Sequence, residues 1–121
     1  MELKDNRPVF IQIKEWVEDN ILSGRWSIGH QLPSVREMSA KFRVNANTIV
    51  RTYEHLGFDG TVRSVKGVGF FVAEGACESI KERRRQAFFD ELLPLCIRQM
   101  ELLGISPDEI IPIIKRHENK Q

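Results

Sequence analysis

The sequence predicts a mainly α-helical fold with one small β-hairpin, and three observations carry that prediction. Apolar residues recur at steps of three and four over most of the chain, the spacing of a single helix face. The period changes once, between Gly60 and Ala73, where two short β-favourable runs flank a glycine turn. Two short helical patterns with only a brief interruption between them stand directly before that change. Two such helices form a helix-turn-helix, and the hairpin that follows is its wing. A helical tail then completes the chain.

The elements follow in order. From Pro8 to Ser23, Phe10, Ile13, Val17 and Ile21 share one helix face, with Pro8 suited to the first turn and Gly24 to the stop. Residues 25–33 lack periodicity and are punctuated by Gly29 and Pro33, so they read as a connection pinned to the core by Trp26, Ile28 and Leu32. Ser34-Val35-Arg36-Glu37 is an S-x-x-E capping box that opens a short helix through Val35, Met38 and Phe42. Asn45 or Asn47 caps the next helix, in which Ile49, Tyr53 and Leu56 share a face and which ends near Gly57 or Gly60. Residues 61–65 and 70–72 are the strands of the wing, and Lys66-Gly67-Val68-Gly69 is its turn.

From Glu78 to Leu103 a second helical region places Ile80, Phe88, Leu92, Leu95 and Leu103 on one stripe. Pro94 lies inside it, so a kink or break is expected near Leu92-Leu93. Gly104 ends that helix. Ser106-Pro107-Asp108-Glu109 is a second S-x-x-E box, opening a final short helix through Ile110, Ile111, Ile113 and Ile114, which Pro112 makes imperfect. The expected organisation is a winged helix-turn-helix over residues 1–75 and a helical tail over residues 76–121.

Composition narrows the function. With 121 residues, 41% hydrophobic and 29% charged, the chain can build one core and excludes a large two-domain enzyme. No apolar run approaches the roughly 18 residues that span a bilayer, so no membrane partner is expected. Met1 to Pro8 lack the apolar segment of a secretory leader, which makes the cytoplasm the default compartment. Cys77 and Cys96 stand too far apart for a C-x-x-C pair, and His30, His55 and His117 are scattered. Idle or buried thiols, no metal and no cofactor follow. No nucleophile–base pair is visible, so an enzyme is not expected.

The formal net charge is only +1, well short of the basic balance that announces a nucleic-acid partner. The total hides a local surplus: residues 34–70 carry Arg36, Lys41, Arg43, Arg51, Arg63 and Lys66 against Glu37, Glu54 and Asp59. That surplus coincides with the helix-turn-helix and wing.

Three groups of residues are candidates for DNA contact. Asn45, Asn47, Thr48 and Arg51 lie at the start of the second helix, which enters a major groove N-terminus first in this motif. The bland reading is that the asparagines only form the turn and cap. Arg36 lies in the first turn of the preceding helix, where backbone N–H groups already favour phosphate; its alternative is a solvated arginine. Lys66 with Gly67 and Gly69 lets the wing tip approach a phosphate or minor-groove wall, against a simple turn. The Arg83-Arg84-Arg85 run reads as a solvated helix face.

These residues are similar to a known family. Pro8, Gln12-Ile13, Ile21-Leu22-Ser23-Gly24-Arg25, Gly29, Leu32 to Glu37, Val44-Asn45, Asn47-Thr48, Tyr53, Leu56, Gly60 and Gly67 to Val72 resemble the winged helix-turn-helix of GntR-type bacterial transcriptional regulators. The match runs from about Pro8 to Ala73. The resemblance implies that Ser34, Arg36, Asn45, Asn47, Thr48, Arg51, Lys66, Gly67 and Gly69 face double-stranded DNA. Gly57, Phe58 and Phe70 depart from the family pattern. The short helical tail resembles that of the YtrA-like subfamily.

The tail carries Ile80, Phe88, Leu92, Leu95, Leu103, Ile110, Ile113 and Ile114, which so short a segment cannot bury alone. Burying even four such side chains contributes on the order of 6 to 12 kcal/mol before ordering costs. A homodimer joined through these residues is the natural solution, and its operator would be an inverted repeat. The leading expectation is a homodimeric DNA-binding repressor. The rival is a winged-helix protein-interaction module, and a third reading adds a small-molecule effector between the tails, for which no residue identifies a ligand.

Overall fold

The computed structural model describes residues 7–120. Met1 to Asn6, read above for a leader, lie outside the described residues, as does Gln121. Six α-helices and two strands follow in order: α1 (Val9–Leu22), α2 (Val35–Phe42), α3 (Ala46–Phe58), β1 (Val62–Val65), β2 (Gly69–Val72), α4 (Ala76–Ala87), α5 (Leu93–Leu103) and α6 (Pro107–Glu118). The expected winged helix-turn-helix and helical tail are both present.

The apolar spacing read from the sequence becomes the core of the first compact unit, which runs through Glu82. Ile13, Val17 and Ile21 of α1 meet Met38 and Phe42 of α2 and Ile49, Tyr53 and Leu56 of α3, and Val62 and Val72 close it from the hairpin. Trp16 of α1 packs edge-on against Phe42 and Trp26, at ring separations of 5.3 and 5.4 Å. Trp26 and Leu32 pin the connecting segment, but Ile28, expected to join them, is 65% exposed. Gly29, with φ +84, turns the chain there, and the backbone carries Ile28 out into solvent.

The connection is more ordered than its sequence implied. Gly29 and Leu32 donate to Val72 and Phe70 carbonyls, Val72 donates back to His30, and Gln31 bridges Phe71 in antiparallel register. Residues 29–32 thus lie along β2 as a third ribbon beside the two-stranded hairpin, whose register pairs Val62 with Val72 and Val65 with Gly69.

The start of α4 corrects the tail. Ile80, placed by periodicity on the dimerisation stripe, is 1% exposed and belongs with Ala76 to the core of the first unit. Its surface is already consumed within one chain, so it is not available to a second copy. The compact unit accordingly extends to Glu82 rather than ending at residue 75.

The second unit, from Arg83, is built of helical segments joined by a short break at residues 104–106. Pro94 does not break the helix. The segment Phe88–Leu92 widens into a π-helical turn in which the Leu93 N–H donates to the Phe88 carbonyl, five residues back. This leads into α5 with Pro94 at its second position; proline has no N–H to donate back into the turn before it, and the widened turn accommodates its ring without ending the helix. Gly104, at φ 68, ends α5 in the left-handed conformation that only glycine adopts freely. Glu109 accepts from the Ser106 N–H at 2.8 Å, and α6 continues past Pro112 to Glu118. Phe88, Leu92, Leu95, Leu103, Ile113 and Ile114 are exposed, and Ile110 is half-buried.

Candidate nucleic-acid interface

Local chemistry places each candidate side chain. Ser34 caps α2: its hydroxyl accepts from the Glu37 N–H at 3.1 Å, and the Glu37 carboxylate accepts from the Ser34 N–H at 3.0 Å. That backbone bond, aided by the hydroxyl, holds the Glu37 carboxyl below its ordinary pKa. Arg36 follows within the first turn and is exposed. The N-terminus of α2 therefore presents a hydroxyl, a guanidinium and the positive end of the helix dipole together.

The turn into α3 is held by Ser39, whose hydroxyl donates to the Val44 carbonyl at 2.6 Å. Arg43 takes a left-handed conformation there, φ 56 and ψ 47, the one positive φ among described residues other than glycine. Of the two asparagines, Asn45 is the cap, accepting from the Asn47 N–H at 2.8 Å. Asn45 and Asn47 are both exposed. Thr48 is half-buried, and its carbonyl accepts the Thr52 hydroxyl at 2.7 Å. Arg51 is exposed one turn beyond Asn47.

The wing tip is a tight turn in which the Val68 N–H donates to the Val65 carbonyl at 2.9 Å. Gly67 sits at φ 77, in the third position of that turn, where a positive φ favours glycine. Lys66, Gly67 and Val68 are exposed.

These three elements share one support. Residues 29–34 run along β2, end in the cap of α2, and accept the Tyr53 hydroxyl of α3 on the Pro33 carbonyl at 2.7 Å. Burial pushes the Tyr53 phenol far above its ordinary pKa, and the Glu37 carboxylate adds to the shift. The phenol is therefore a donor throughout the physiological range, and the tie between α3 and the strip weakens only in strong alkali.

The structure also sorts the cations of the charged segment. Lys41 lies over the Trp16 ring at 4.3 Å and Arg63 over Phe71 at 5.4 Å, so both are drawn onto aromatic faces of the fold. Arg36, Arg43, Arg51 and Lys66 are exposed. Arg43, in the turn before α3, and Val50, within α3, lie exposed beside the candidate residues. Val50 stands between Asn47 and Arg51, one residue after the buried Ile49. Among the described residues, no group of histidine, cysteine or carboxylate side chains is placed to hold a metal, and no helix is long and apolar enough to cross a membrane.

Residues 11–72 match the model of the family described as bacterial regulatory proteins, gntR family. The uncharacterized HTH-type transcriptional regulator YhcF of Bacillus subtilis is 32% identical over 94% of this chain and 93% of its own length. The HTH-type transcriptional repressor YtrA of the same organism is 28% identical over 78% of this chain and 72% of its own. Among solved structures, a GntR family transcriptional regulator from Listeria monocytogenes superposes with a TM-score of 0.75 at 29% identity, covering 94% of this chain and 98% of that one. AraR(DBD) in complex with operator ORE1 superposes with a TM-score of 0.58 at 28% identity, covering 60% of this chain and 98% of that one. The matched segment contains the capping box, the helix-turn-helix and the wing built above, and the chain belongs to the GntR family of bacterial regulatory proteins.

Proposed function

We propose that this regulator is a cytoplasmic, homodimeric repressor that binds an inverted-repeat operator in double-stranded DNA. The observation that carries the reading is the convergence on one supporting strip, residues 29–34, of the three exposed elements suited to DNA: the α2 N-terminus, the start of α3 and the wing. In this reading Asn47 and Arg51 meet base edges, where amide and guanidinium groups pair with adenine and guanine. Ser34, Arg36 and the Lys66-Gly67 tip hold the phosphate backbone and set the register, with Asn45, Thr48 and Gly69 shaping the surface around them. The likeness to a domain in complex with its operator supports the DNA reading, and the similarity to the repressor YtrA over most of the chain supports repression.

The tail supports the dimer. Phe88, Leu92, Leu95, Leu103, Ile113 and Ile114 are exposed large apolar residues on three successive helical segments of one chain, with Ile110 half-buried beside them. A second copy of the same tail would cover them symmetrically. Residues 1–82 are then the DNA-binding unit and residues 83–121 the dimerisation unit.

Titration of duplex selected from a random pool tests the function. Affinity should fall steeply with salt, each neutralised phosphate adding roughly −0.9 to the log–log slope. Binding that ignores salt, or no selected duplex at all, would refute it.

A further inference from the structure

The wing tip is the least supported of the three DNA-facing elements along its own backbone. It consists of Lys66, Gly67 and Val68, all exposed, at the end of strands of four residues each. One backbone bond closes the turn, from the Val68 N–H to the Val65 carbonyl at 2.9 Å. One side chain from elsewhere reaches it. The amide of Gln31, 37 positions away, donates to the Val68 carbonyl at 3.1 Å.

The approach is built into the backbone on both sides. Gln31 sits on the ribbon beside β2, bridged to Phe71, which aims its side chain along the hairpin toward the turn. Opposite it stands Gly69 at φ 146, where a β-carbon would lie 2.8 Å from Gln31 Nε2. Glycine is needed at that position for the conformation, and its missing side chain is also the space the amide occupies. The second glycine of the wing and the glutamine of the connecting segment thus form one device.

We propose that Gln31 is a positioning residue for DNA recognition, holding the wing tip in the conformation that meets the duplex. This rests on the DNA-binding function proposed above. Gln31 itself touches no DNA in this account; it acts through Val68 on the presentation of Lys66 and Gly67. Freed from the amide, the tip samples other conformations, and each bound complex must first restore the competent one.

The test uses the full chain and a duplex selected by the wild-type protein. Gln31→Met keeps the length of the side chain and removes its donor. Binding should weaken roughly three- to tenfold, the scale of one lost hydrogen bond. The loss should shrink in a Lys66→Ala background, because the larger part of the positioned contact is already gone. Protection of sugars from hydroxyl radicals under the wing should be lost, with methylation protection of guanine N7 in the major groove retained. Unchanged affinity, an equal loss in the Lys66→Ala background, or parallel loss of both protections with a lowered melting temperature would each overturn the proposal. Failure of the wild-type protein to bind any selected duplex would instead sink the underlying function.

Discussion

Removing one oxygen atom tests whether the strip at residues 29–34 supports the recognition helix. Tyr53 is 1% exposed, its hydroxyl donates to the Pro33 carbonyl at 2.7 Å, and its ring packs edge-on against Phe70 at 5.1 Å. Tyr53→Phe keeps the ring contacts and opens no cavity. It deletes a hydrogen bond with a net value of about 0.5–1.5 kcal/mol and leaves the carbonyl without its partner, which costs up to a further 1–3 kcal/mol if water is excluded. Pro33 is half-buried, so water reaches part of the way, and phenylalanine gains slightly from being the more apolar ring. The balance is a destabilisation of about 1 kcal/mol, or a melting temperature roughly 4–8 °C lower for a unit of this size.

Thermal unfolding of the two proteins at equal chain concentration measures it. The pH dependence supplies a second signature. The folded phenol has its pKa raised above that of the unfolded chain, so its contribution is complete at neutral pH and declines once pH passes the unfolded value, about 10. The Tyr53→Phe protein should lack that component of the decline. An unchanged melting temperature, or an identical alkaline profile in both proteins, would refute the role given to the Tyr53–Pro33 bond.

Other outcomes follow from the same geometry. Ile80→Ala should cost about 2–5 kcal/mol of stability by opening a core cavity while leaving self-association intact, which ultracentrifugation of the folded variant would check. Arg36→Ala should weaken binding about equally across duplex sequences and reduce the magnitude of the log–log salt slope by roughly 0.9, and unchanged affinity removes Arg36 from the interface. Truncation after Glu82 should leave a folded monomer with weakened DNA binding, as measured by light scattering and titration, whereas truncation before Ile80 should also unfold the first unit. A dimer persisting after removal of residues 83–121 would contradict the role of the tail.

What was legible in the sequence was what depends on near neighbours. The Ser34–Glu37 capping box lies within four residues, and the Gly67 turn needs only its own backbone, so both could be read directly. The same holds for the face shared by Ile49, Tyr53 and Leu56, which a helical period marks without reference to its partner. Periodicity says that a side chain will be covered but not by what, and Ile80 shows the consequence: it was grouped with the tail stripe, and its partner is the chain's own core. The ribbon at residues 29–32 was invisible for a different reason. Its backbone bonds cross to β2, some 40 residues on, and its side chains show no alternation. The candidate contact residues were proposed from motif and spacing, but the strip that joins their three elements could not be.

In the proposed dimer, two copies of this interface read one duplex. Selection of bound sequences from a random duplex pool tests it most directly. The prediction is enrichment of an inverted repeat whose half-sites are separated by about 10–10.5 base pairs or a multiple of that, bound by two chains. Enrichment of a single unpaired half-site bound by one chain, or no enrichment, would contradict it.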